Sequence, residues 1–144
     1  MSFAVFNPII KILTVQLINN WSINNPVSPV PTIIWPNIDN DKANHSHWVE
    51  FIFVPGDLTP QSTVNGRLRG VGSMVIDIAT PLNIGVNDSF YLADHIGDIF
   101  SNKVLGDKAN RIHMQSVKIH KEGVIHNNFW MLKTETIFHL NTCG

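Results

Sequence analysis

The sequence predicts an α+β fold in which two helices cover one face of a mostly antiparallel, twisted sheet. Three observations predict it. Apolar residues recur at steps of three and four over residues 7–21 and 87–102, the helical period. Strand-like runs occupy 47–54, 66–80 and 111–140. The order is one helix, several strands, a helix and two more strands, with no internal repeat or low-complexity segment. One domain over 1–144 is therefore expected, long enough to bury a substantial core.

The first helix carries Phe6, Ile10, Leu13, Leu17 and Trp21 on its stripe, broadened by Ile9 and Ile12, with Lys11 and Gln16 towards solvent. Asn7 is its expected N-cap and Pro8 its first helical residue, where a missing N–H costs nothing. Asn19-Asn20 and Asn24-Asn25-Pro26 end it. Prolines 26, 29, 31 and 36 then restrict Thr32–Trp35 to a short edge strand, because proline donates nothing to a ladder. Residues 37–47 are polar and aperiodic, and read as an exposed loop.

The strand over His47–Val54 is apolar on both phases, so cover is expected on both faces, by helix on one and by sheet or a neighbouring subunit on the other. Pro55-Gly56-Asp57 reads as a turn, with Leu58–Asn65 continuing as loop. Over Gly66–Thr80, Met74, Ile76 and Ile78 share one phase and Arg67, Arg69, Ser73 and Asp77 the other. Gly70 and Gly72 inside this strand suggest a bulge, a bend or a close backbone approach. The second helix, 87–102, starts at Asn87 or Asp88 and buries Leu92, Ile96, Ile99 and Phe100, flanked by Phe90 and Ala93. A terminal hairpin follows. Its strands are 111–120 and 129–140, its turn lies at Glu122-Gly123 or Asn127-Asn128, and 141–144 is expected to fray.

The apolar fraction is 44% and the charged fraction 15%, against roughly 25% charged in ordinary soluble domains. Much of the surface is thus neutral and suited to contact with other subunits. A net charge of −1 gives no global footprint for nucleic acid or anionic lipid. The single cysteine, Cys143, excludes an intrachain disulfide and a tetrathiolate zinc site, which fits assembly in a reducing compartment. No run approaches the roughly 18 apolar residues that span a bilayer, and the N-terminus does not read as a signal peptide. A soluble, cytosolic product is expected.

Candidate chemistry is sparse. His45-x-His47 has the spacing of a metal-ligand pair, yet no third ligand sits at a helpful offset, and it reads as a solvated loop end. Asp94, His95 and Asp98 offer a cation site or acid–base pair on one helix, against the simpler reading of a solvated face. Arg67-x-Arg69 fits a phosphate contact or an intersubunit clamp on a carboxylate, and equally an exposed strand end balanced by Asp77 or a neighbouring acid. Trp21, Trp35, Trp48 and Trp130 are read as core or interface rather than as ligand-stacking platforms. There is no nucleophile–base pair and no phosphate-cradling glycine loop. No enzyme activity, cofactor or metal is expected.

The chain resembles the small phage tail terminator (tail completion) family over about residues 5–140. The resemblance rests on PTIIWPN at 31–37, WVEF at 48–51, RLRGVGSMVIDI at 67–78, LADHIGDIF at 92–100 and a tryptophan-led last strand. It implies a structural virion protein of the tail or neck, assembled in the host cytoplasm. The family forms a hexameric ring on the last ring of the tail tube. That ring ends tube polymerisation and gives the head–tail connector protein a docking face. The implied partners are further copies of the chain, the tail tube protein and the connector, with DNA only in passage and no membrane. Arg67, Arg69, Trp35 and Trp48 become candidate subunit-interface or channel residues. Two alternatives stay open: a head–tail joining or other minor tail protein of similar fold, and a metal-dependent binder or enzyme using the histidines. The 37–47 loop departs from the pattern.

Overall fold

A computed structural model describes residues 6–35, 47–62, 67–82, 87–107, 110–126 and 128–142, some through their backbone alone. Residues 37–46 of the expected 37–47 loop, with His45, lie outside the described residues, as do Cys143 and Gly144. Two helices, α1 (Phe6–Trp21) and α2 (Asn87–Phe100), join seven strands: β1 (Thr32–Ile34), β2 (Trp48–Ser62), β3 (Arg67–Pro81), β4 (Val104–Gly106), β5 (Asn110–Met114), β6 (Lys118–His126) and β7 (Phe129–Thr142). They form one sheet in the order β1-β2-β3-β7-β5-β4, with β6 also on β7. Among the described strands, only the β1–β2 pairing is parallel. The expected α+β architecture is the one observed.

Helix α1 turns Ile9, Leu13, Leu17 and Trp21 into the core, so Ile9 rather than Ile10 leads its stripe. It begins at Phe6, one residue before the expected cap. Gln16 is not a solvent residue: its Nε2–H donates to the Ile99 carbonyl of α2 at 2.9 Å. The buried indole Nε1–H of Trp21 donates to the Pro31 carbonyl at 2.8 Å, tying the proline-rich segment to the end of the helix. Helix α2 stops at Phe100, short of the expected Asn102, whose φ of 58° is the left-handed conformation that ends helices.

Both helices lie on the sheet face built from Val49, Phe51, Met74, Ile76, Ile78, Ile112, Leu132, Phe138 and Leu140. Burying one such side chain contributes roughly 1.5–3 kcal/mol. A smaller cluster, Ile34, Trp48 and Ala79 with Phe129 and Met131, sits on the opposite face. The double apolar phase of His47–Val54 therefore has its cause in two clusters, one on each side of β2.

Four local readings need correction. Pro55-Gly56-Asp57 is no turn: β2 runs through it to Ser62, and the register against β3 slips between Val54 and Asp57. Gly56 absorbs the slip at φ 60°, and a Cβ there would fall on the Val71 carbonyl oxygen. The turn-forming residues make a bulge because β3 continues alongside. Leu58–Ser62 accordingly pairs with Arg67–Gly70 instead of forming a loop. Gly72, opposite the bulge, accepts the close approach anticipated for it, since a Cβ would lie 2.6 Å from Phe138 Cζ and 3.0 Å from the Val54 and Pro55 carbonyl oxygens.

The expected 111–120 strand is two strands, β5 and β6, successive neighbours of β7. Between them Gln115 N–H donates to the Ile137 carbonyl at 2.9 Å, which keeps this stretch against β7. Asn128, at φ 67°, precedes β7 at the second of the two expected turn positions, while Glu122-Gly123 lies inside β6 at a register shift. Asn141 and Thr142, expected to fray, pair with Arg69 and Leu68 of β3 and with Arg111 and Asn110 of β5.

Candidate functional site

The outer sheet face carries a charge row set by strand register. Glu50 on β2 stands opposite Asp77 on β3, which stands opposite Lys133 on β7. Lys133 Nζ reaches Asp77 Oδ1 at 3.3 Å, a partly exposed pair worth below about 1 kcal/mol. Asp77 is thus engaged by Lys133, where the sequence offered it as the balance for the arginines. Two carboxylates on β2 and β3 face a lysine on β7, so charge separates along the sheet.

The sequence candidates fall in different places. Trp48 is buried and meets Phe129 edge-on, with ring centroids 5.5 Å apart. Trp35, just beyond β1, is half-buried and tilted against Phe51 at 5.6 Å, at the margin of the main core. Arg67 and Arg69 occupy the start of β3, their backbones paired with Ser62 and Thr59 of β2. Their side chains lie outside the described set. The structure therefore places Trp35 and Trp48 at the β1–β2 side and the two arginines towards the β2–β3 connection.

Two histidines, His47 and His95, have structural tasks. His47 Nε2–H donates to Asp88 Oδ2 at 2.9 Å, joining the start of β2 to the first turn of α2. His95, read in sequence beside Asp94 and Asp98, is buried while both aspartates are exposed. Its Nε2 lies 2.9 Å from the Trp21 carbonyl, which can only accept, so that nitrogen carries the proton. Its ring lies 5.4 Å from the Trp21 ring. The His95 position on α2 thus fastens the C-terminal end of α1, a role the sequence concealed because histidine reads as polar. Among the described residues, no group of three or more His, Cys, Asp or Glu is placed to hold a metal. Among them, too, no helix is long and apolar enough to cross a membrane.

An apolar concavity of about 320 Å³ lies between α1 and β4 and is lined by Lys11, Ile12, Val15, Gln16, Leu105 and Gly106. It holds no convergent polar constellation of the sort that orients a small substrate. Strand β4, which sequence reading missed, is three residues long and too short to carry a period.

Fold and surfaces together define an α+β protein whose distinctive features are strand edges and faces. A family model described as phage tail terminator protein matches residues 9–133, and the chain belongs to that family. Its role is accordingly structural, in a phage tail. A solved structure superposes with a TM-score of 0.73 over 96% of each chain at 10% identity, a likeness of fold alone. No curated protein is matched.

Proposed function

We propose that this chain is the subunit of a hexameric ring that caps the tail tube, ends its polymerisation and presents the docking face for the head connector. The observation that carries this reading is a pair of long strand edges. Beyond Glu50, where β1 stops, the outer edge of β2 bears no further strand among the described residues. The outer edge of β6 likewise bears none. Long uncovered edges invite pairing with another chain, and proteins ordinarily cover or blunt them.

The directions agree. Strand β6 is antiparallel to β7, β7 to β3 and β3 to β2, so β6 of one copy meets β2 of the next as an antiparallel neighbour. The free stretch of β2 begins where the β1 pairing ends, while β6 pairs β7 along its other half, level with Trp48–Ile52. Such an offset is the stagger that closure of a sheet into a ring requires. Different edges meeting head to tail make a heterologous contact, which closes when the rotation per subunit divides the circle. In this arrangement Arg67 and Arg69, near the β2–β3 connection, contact a neighbouring subunit or line the channel that DNA traverses. The tail tube protein takes one face of the ring and the connector protein the other.

Deleting the gene and measuring tails by electron microscopy tests the reading. Overlong, headless tails are expected. Tails of unchanged length joined to heads would refute it.

A further inference from the structure

Resting on the ring reading, we infer that the sheet face opposite the helices lines the channel, and that its end nearest the β2–β3 connection holds the phosphate backbone of passing duplex DNA through Arg67, Arg69 and Arg111, with His113 and His139 beside them.

Strand register assembles this patch from distant stretches of sequence. Arg69 of β3 and Arg111 of β5 both pair with Asn141 of β7, so one row across the sheet runs Arg69, Asn141, Arg111. The next row on the same face runs Val71, His139, His113. Arg67 lies one same-face step beyond Arg69 along β3. Burial fixes which face this is. Ile112, Met114, Phe138 and Leu140 are buried in the core beneath the helices, while Arg111, His113 and His139, in the alternate phase, are exposed. The chain has three arginines, and register places all of them at this one end of this one face. With strands about 4.8 Å apart, the Arg69 and Arg111 backbones stand about 10 Å from each other.

The groups on offer donate. Arg111 makes no hydrogen bond or ion pair among the described residues. Gln115 Nε2–H donates to His139 Nε2 at 2.8 Å, which leaves the proton of the neutral ring on Nδ1. Of the residues paired in these two rows one is acidic, Asp57, at the β2 margin. Asp107, just past β4, has an interaction of its own. The other acids of this face, Glu135, Asp77 and Glu50, come further along, beyond Ser73 and Ile137. A net charge of −1 therefore conceals a local concentration of guanidinium, the side chain best matched to phosphate oxygens. The two rows hold no Trp, Tyr or Phe of the sort that anchors a protein interface, which favours a phosphate backbone over an acidic protein surface. In a ring closed by its sheet, the helices form a layer about 10 Å thick that fits the larger, outer circumference. The bare face then turns inward, and repetition around the ring makes a cationic collar.

Fluorescence anisotropy of a short labelled DNA duplex, titrated with the full-length chain alone and assembled on purified tail tubes, tests this. Wild type is expected to bind, and to weaken steeply between about 50 and 200 mM salt. Arg111→Glu should lower affinity at least roughly tenfold, and Arg111→Ala should reduce the salt slope by about one. Lys103→Glu is the control, an equal charge change at an exposed position on the helix side, and should stay within about twofold of wild type. In complementation, Arg111→Glu should restore normal tail length while lowering titre at least tenfold. Failure of the wild type to bind duplex in either form, or equal losses in Arg111→Glu and Lys103→Glu, would overturn the DNA contact and leave the ring reading standing. Overlong tails with Arg111→Glu would also overturn it, assigning the patch to the tube protein. Tails of normal length when the gene is deleted would overturn the ring reading instead, and this inference with it.

Discussion

Gly56→Ala is the perturbation most informative about how this sheet is built. Gly56 sits at φ 60° in the bulge of β2. An alanine held in that left-handed conformation costs about 1–2 kcal/mol. The new Cβ would also fall on the Val71 carbonyl oxygen, which is backbone and cannot swing aside. Relieving that clash means opening the β2–β3 ladder and losing at least one hydrogen bond, about 0.5–1.5 kcal/mol. The sum is about 1.5–3.5 kcal/mol of destabilisation, or roughly 4–12 °C in Tm for a chain of this size. Gly97→Ala is the matched control. Its Cβ would lie 3.6 Å from Ser101 Oγ, ordinary contact, at an interior position of α2. Replacing glycine by alanine inside a helix should stabilise by roughly 0.5–1 kcal/mol. Urea denaturation followed by circular dichroism measures both. A Gly56→Ala protein within about 0.5 kcal/mol of wild type would mean that Pro55–Asp57 is a loose turn, and the continuous 15-residue β2 would be wrong.

Two further substitutions probe core and assembly separately. Trp21→Phe keeps the apolar ring but leaves the Pro31 carbonyl without its 2.8 Å donor, and should cost about 1–3 kcal/mol in the same denaturation assay. A change below a few tenths would mean that water replaces the indole. Arg67→Ala/Arg69→Ala should leave the melting curve within about 0.5 kcal/mol of wild type while lowering phage titre at least tenfold in complementation. An unchanged titre would reduce both arginines to surface decoration.

Where the sequence was legible, burial followed one period without interference. The α2 residues Leu92, Ile96, Ile99 and Phe100 are all buried, as is the Met74, Ile76, Ile78 phase of β3. The reading failed where tertiary context overrode local chemistry. Pro55-Gly56-Asp57 has the composition of a turn, but a partner strand on its flank makes it a bulge. Strand β4 has no period to detect, and the β5–β6 break passes unnoticed because both pieces follow the same neighbour, β7. His95 and Gln16 are polar by type and yet hold the two helices together through carbonyl bonds. The candidate surfaces were legible only as residue types. Trp35 and Trp48 lie 13 positions apart and look equivalent in the sequence, yet Trp48 is enclosed by its own chain while Trp35 stays at the sheet margin. Which strand edges are left without a neighbour is a property of strand order, and strand order is written in no single segment.

Cryo-electron microscopy of the head-proximal end of isolated tails is the most direct measurement of the central claim. It should place six copies of this chain in one ring on the terminal tube ring, with β6 of each copy continuing into β2 of the next. Density for the chain along the tube wall, or a terminal ring whose subunits touch through their helices alone, would contradict it.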